Sequence, residues 1–149
     1  MDTHVPLIST RTVGPLGIVH LPRLWQKILL AGQDKLADGY RAGKGGADER
    51  LLTALGLSDD DTIAYVHRQQ PSYLAFEGWV RENADPASLT PEAVTRFNER
   101  LLSFPKPEPL RSEQLALIGL PNDETRWIAS DLNDLEDWHL FHETLLRDG

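Results

Sequence analysis

His20, Arg23 and Lys27 stand three and four positions apart, a spacing that sets their side chains on adjoining turns of one helical face. A glycine-dense loop follows, with Tyr40, Arg41 and Lys44 among Gly39, Gly43, Gly45 and Gly46. The first turn of a helix has unpaired N–H groups and partial positive charge, so cationic side chains there add to an anion-attracting corner. Glycines let the backbone amides of the following loop approach a ligand closely. The chemistry expected is capture of a small anion, a phosphate or a carboxylate, by Arg23, Lys27, Tyr40 and Lys44. His20 is the one group there whose ordinary pKa suits proton transfer. The competing expectation is internal. Arg23 would pair with a carboxylate of the acidic half, His20 would fix the chain by bonding a carbonyl, and the glycines would only turn a loop.

A second constellation is His139-x-x-His142-Glu143. On a helix His139 lies beside both His142 and Glu143, so two imidazoles and a carboxylate are candidates for a divalent metal, with Asp131, Asp134 or His20 completing the shell. The order is not that of a zinc protease or of a bundle di-metal site, which favours histidines packed on a core face beside Trp138 and Phe141. No metal and no cofactor is therefore expected. The glycine loop is not a nucleotide P-loop, because Asp38 stands where a glycine is needed, Gly45 follows Lys44, and a helix precedes it. No Gly-x-Ser-x-Gly elbow offers a serine nucleophile, and the chain has no cysteine.

Helices must position these groups. Leu21-Pro22 is a helix start, and Leu24, Trp25, Ile28, Leu29 and Leu36 make one apolar face, with Gly32 a tolerated weak point and Gly39 the stop. Asp48 is expected to cap a helix over 49–55 that ends at Gly56. Ser58 with Asp61 forms an acidic capping box for the next, which bears Ile63 and Val66, and the Asp59-Asp60-Asp61 run reads as capping. Pro71-Ser72 leads into a helix over 73–83 with Leu74, Phe76, Trp79 and Val80 inward. Thr90-Pro91 starts another, carrying Val94, Phe97, Leu101 and Leu102. The Pro105 to Pro109 stretch is a stiff strap. Beyond it come an apolar run of ambiguous type at 115–120, a Pro121-Asn122-Asp123 turn, a lead-in or short strand at Arg126-Trp127-Ile128, and a last helix bearing Leu132, Leu135 and Leu145. Trp25, Trp79, Trp127 and Trp138 are all expected at core positions.

Alternation of period two is scarce, so the fold class expected is all-α. The architecture is a compact irregular bundle of five to seven helices, with a proline-rich strap and a C-terminal segment packed back on the body. At 149 residues the chain fits one domain that buries roughly 70% of its unfolded surface. Its net charge of −8 is uneven. Residues 1–57 hold seven Lys/Arg against five Asp/Glu, and residues 58–149 hold eight against eighteen. Such a body repels phosphate backbones, which argues against nucleic acid as a partner. No apolar span of membrane length and no leader pattern is visible, so a cytoplasmic protein is expected.

The run Val19-His20-Leu21-Pro22-Arg23-Leu24, with Lys27, Tyr40, Gly43-Lys44-Gly45, Leu55-Gly56, Trp79-Val80 and the Asn98 to Leu102 segment, resembles a bacterial family of small proteins catalogued as a domain of unknown function. Its members read Gly-x-x-His-Leu-Pro-Arg, then Tyr and Gly-Lys-Gly, then Asn-x-x-Leu-Leu. The resemblance covers about residues 14–104 and rests on several motifs in one order. It implies no activity, cofactor or partner, and the His139/His142 pair lies outside it. With no complete catalytic set, the leading expectation is a non-enzymatic interaction module or self-associating domain with a protein partner or a second copy. The alternative is binding or turnover of a small anionic metabolite at the His20/Arg23/Lys44 corner.

Overall fold

The first helix shows how a local stop signal can be overridden. In the computed structural model, which describes residues 2–122 and 127–148, α1 spans Leu21–Gly32 with proline in its first turn. It ends seven residues before Gly39. A Cβ at Gly32 would stand 2.6 Å from the His67 ring, so glycine marks a close approach between helices. Beyond it Leu36 leaves the helical face. His4 donates to the carbonyl of Lys35 at 2.6 Å and accepts from Ala37 at 3.0 Å, which pulls this stretch into a bridge with the N-terminal segment.

Four more helices complete the body. α2 (Gly46–Leu55) ends on left-handed Gly56, α3 (Asp59–Gln69) is capped by Ser58 accepting from Asp61, and α4 (Tyr73–Asn83) is capped by Ser72. A 3-10 turn at Pro86–Leu89 leads into α5 (Pro91–Leu102), capped by Thr90. The core lies where α1 to α4 meet and contains Ile18, Leu21, Leu24, Ile28, Leu51, Leu52, Leu55, Val66, Phe76 and Val80. Each such apolar side chain contributes about 1.5–3 kcal/mol by leaving water. Trp79 stacks on Tyr65 at 4.6 Å, whereas Leu74, expected inward, points out of α4 and is 68% exposed. The inward face of α4 takes Glu77 instead, which accepts from the Tyr73 hydroxyl at 2.7 Å and from Leu16 N–H at 3.2 Å.

The C-terminal segment is a helical hairpin. The ambiguous run at 115–120 falls largely within α6 (Leu110–Ile118), stopped by left-handed Gly119, and α6 packs on α7 (Ala129–Asp148) around Leu115 and Leu132. Asp123 and Arg126 of the expected turn and lead-in lie outside the described residues. Ile128 bridges Pro105, and Lys106 N–H donates to Trp127 O at 2.9 Å. Arg11 pairs with Asp131 and Asp134, and Arg50 stacks over Phe104 at 3.8 Å, so the hairpin is seated on the body. Among the described residues the fold is all-α, with seven α-helices and no strand beyond isolated bridges. None of those helices is long and apolar enough to cross a membrane.

Candidate functional site

His20 occupies the N-cap of α1 with φ +72, a left-handed conformation uncommon for a residue with a side chain. Its N–H donates to Thr10 O at 2.8 Å and its carbonyl accepts from Leu24 N–H at 2.9 Å, so the helix start is fixed from both sides. The ring is 2% exposed, with Nε2 2.6 Å from Asp48 Oδ1 and Nδ1 3.0 Å from the Thr10 hydroxyl.

Asp48 departs from expectation. It does not cap α2, whose N-cap is Gly45; instead its carboxylate turns inward. Its second oxygen accepts from Lys27 Nζ at 2.8 Å and from Gly43 N–H at 2.8 Å. Burial pushes the Asp48 pKa up, but the His20 hydrogen bond and the Lys27 ammonium outweigh it and hold the carboxyl well below the ordinary range. Burial lowers the pKa of His20 and of Lys27, against the pull of Asp48. An ionised Asp48 accepts from Nε2–H, so a neutral His20 accepts at Nδ1 from the Thr10 hydroxyl. The order hydroxyl, imidazole, carboxylate matches a catalytic triad. Thr10, however, is buried and does not line the cavity described below, which leaves this relay a structural tie.

Arg23 is likewise committed. One terminal nitrogen donates to Pro6 O at 2.9 Å, Ile8 O at 3.0 Å and Asp137 Oδ2 at 2.6 Å, and the other to Asp137 Oδ1 at 3.1 Å. Tyr40 donates its hydroxyl to Asp137 Oδ1 at 2.8 Å, and burial followed by the Asp137 charge pushes the phenol pKa up. Burial also raises the Asp137 pKa, against Arg23 and Tyr40, which favour its charged form. Lys44 is 54% exposed and bridges Asp59 at 3.1 Å and Asp60 at 2.8 Å, so two of the acids expected only to cap α3 also hold this lysine.

All five predicted residues nevertheless line one partly open cavity of about 380 Å³, between α1, the 39–45 loop with the first turn of α2, and the C-terminal hairpin. Arg23, Lys27, Tyr40 and Lys44 each already contact a carboxylate, and for Arg23 the partner is an acid of the later half, Asp137. Other lining groups are less satisfied. Lys106, from the strap, donates to Asn133 Oδ1 at 3.2 Å and has no carboxylate within 4 Å among the described residues; burial lowers its pKa, with Glu136 opposing. Arg41 is exposed and lies over Gly45, where a Cβ would come within 3.1 Å of the guanidinium; it too has no ion pair among the described residues. Gly46, Ala47 and Asp48, the first turn of α2, also line the cavity. Gly45 gives this turn no side-chain cap, and the first intrahelical donor is Glu49. Gln114 donates to Asn133 but leaves its Oε1 buried without a partner.

Lys106, Gln114 and Asp137 were not anticipated. Lys106 looked like one charge in a proline strap and Asp137 like one acid among many, because their placement depends on where the hairpin docks. The metal candidates do not converge. His139 Nε2 reaches Glu143 at 3.1 Å, but Asp131 and Asp134 pair with Arg11 and His20 is tied to Asp48. No group of three or more potential ligands forms among the described residues. The core-face expectation for this helix is also corrected, since Trp138 is 59% and Phe141 45% exposed. No family model matches the chain, and no curated protein matches it.

Proposed function

We propose that the chain binds a small anionic molecule, bearing a phosphate or a carboxylate, in the cavity between the 39–45 loop with the first turn of α2 and the C-terminal hairpin. The observation that carries this reading is Lys106, a half-buried ammonium whose hydrogen-bond partner is a neutral amide while it lines a cavity shared with the uncapped first turn of α2. Taking an ammonium partly out of water without a counter-charge is unfavourable, and an anion reverses that cost. Arg41 and the α2 amides supply further donors. The volume falls within the range of ordinary small-molecule sites. The role is binding rather than turnover, because His20, though it lines the cavity, has both ring nitrogens engaged. A cytoplasmic setting belongs to the same proposal, as does membership of the family that residues 14–104 resemble. In the fold, Asn98 of the Asn-x-x-Leu-Leu segment donates to Gly17 O at 2.8 Å and accepts from Val19 N–H at 3.1 Å, so two of the segments that carry the resemblance touch.

Titration calorimetry with inorganic phosphate, sulfate and citrate tests the reading. Saturable heat with at least one anion, weakened about tenfold or more in Lys106→Ala, is the expected result. No heat from the native protein, or heat indifferent to both Lys106→Ala and Arg41→Ala, overturns it.

A second reading has its own observation. Trp138, Phe141 and Leu145 recur at three-to-four spacing on α7 and stand exposed, which supports contact with a second copy of the chain. It ranks second by area, because three side chains offer a few hundred Å² where a stable dimer buries about 1,000 Å² or more. A mass by light scattering that stays monomeric at high concentration removes it.

A further inference from the structure

The unsatisfied groups of the cavity are of two kinds. Arg41, Lys106 and the first turn of α2 call for negative charge. The α6–α7 wall offers the reverse. Glu113 and Glu136 both line the cavity, and neither has a cation within 4 Å or a side-chain hydrogen bond among the described residues. Beside them Gln114, only 8% exposed, keeps Oε1 unpartnered. A buried acceptor without a donor costs about 1–3 kcal/mol, and native folds rarely tolerate one without reason. The other amide of this wall does not supply a donor to it. Asn133 is occupied at Oδ1, where it accepts from Lys106 at 3.2 Å and from Gln114 at 3.1 Å. A simple anion would satisfy the cationic groups and leave Gln114 Oε1 unpartnered and two carboxylates, exposed Glu113 and half-buried Glu136, without a cation.

We propose that the ligand is bipolar: an anionic group held by Lys106, Arg41 and the α2 first turn, joined to an ammonium or amide donor received by Glu113, Glu136 and Gln114. This rests on the anion reading above and narrows it to small phosphorylated or carboxylated amines. The cavity sets an upper size as well, since about 380 Å³ holds roughly a dozen water-sized groups.

Two probes that differ by one ammonium test the idea, O-phosphoethanolamine and ethyl phosphate. Calorimetry on the full chain should give a dissociation constant about tenfold or more lower for O-phosphoethanolamine, as charge-assisted hydrogen bonds to the amine require. In the Glu113→Gln/Glu136→Gln protein that advantage should vanish while ethyl phosphate binds no worse. In Lys106→Ala both probes should weaken together. Thermal melting of each variant confirms that it folds. Equal affinity for the two probes in the native protein overturns the bipolar assignment and leaves the anion site standing. An advantage that survives the double substitution overturns it too. No binding of either probe removes both proposals at once.

Discussion

Replacing Asp48 by asparagine tests the buried charge network at its centre. The side chain is 2% exposed and receives His20 Nε2, Lys27 Nζ and Gly43 N–H. Asparagine keeps the shape but offers one acceptor oxygen and two N–H donors. An amide N–H₂ turned toward Lys27 and Gly43 faces two donors, one turned toward His20 obliges the ring to move its proton to Nδ1 and accept at Nε2, and in either case Lys27, largely buried, loses its counter-charge. Removing one partner of a buried ion pair costs about 3–5 kcal/mol, a large fraction of the 5–15 kcal/mol that holds a typical domain. At about 2–4 °C per kcal/mol for a chain of this size, the melting temperature should fall by roughly 6–20 °C. Urea unfolding at pH 7, followed by circular dichroism, gives the free energy directly. A cycle with Lys27→Met isolates the pair: the double variant should be destabilised by at least about 1 kcal/mol less than the two single losses added together. If Asp48→Asn stays within about 1 kcal/mol of the parent protein, Asp48 is not the counter-charge of a buried network, and the reasoning fails.

The same network fixes how stability responds to acid. Burial lowers the folded His20 pKa, so below about pH 6.5 the unfolded chain binds the extra proton and unfolding becomes easier; Asp48, lowered in the fold, adds a second loss as pH falls below about 4. Urea midpoints from pH 8 to 3 should decline in that order, and His20→Gln should flatten the limb near 6.5. Glycines in the loop should split by environment. Gly43→Ala brings a Cβ within 2.7 Å of Ile63 at φ +83, for a loss of about 2–4 kcal/mol, whereas Gly39→Ala, at φ +90 with nothing within 4 Å, should lose about 1–2. Equal losses in urea would refute the clash. Arg23→Lys, which cannot reproduce the two-pronged hold on Asp137 together with two backbone carbonyls, should cost about 2–4 kcal/mol in the same assay.

What could be read from the sequence was what neighbours along the chain decide. Ser58 and Thr90 cap where their local patterns say, and Gly56 stops α2, because each bond closes within a few residues. The end of α1 depends on partners distant in sequence, since Gly32 lies against His67 and the N-terminal segment bridges the residues on either side of Leu36. An acid in a first turn is locally favourable as a cap, and nothing local reveals that Asp48 faces His20 and Lys27 instead. Trp138 and Phe141 keep a helical period, but period alone does not say which face docks. α7 buries Ser130 and Asp137 toward the body instead, a polar face held by Arg11 and Arg23. Convergence of the basic corner was legible from spacing. Its neutralisation takes acids from α2, α3 and α7, of which Asp137 lies 114 positions beyond Arg23.

A single guanidinium, that of Arg23, grips the carbonyls of residues 6 and 8 and the carboxylate of Asp137. The segment around residues 6–8 and α7 therefore share one latch on the first helix. Detachment of either loosens the other, so protection of backbone amides from exchange should rise and fall together in these two segments, as in one cooperative opening unit rather than two independent ones.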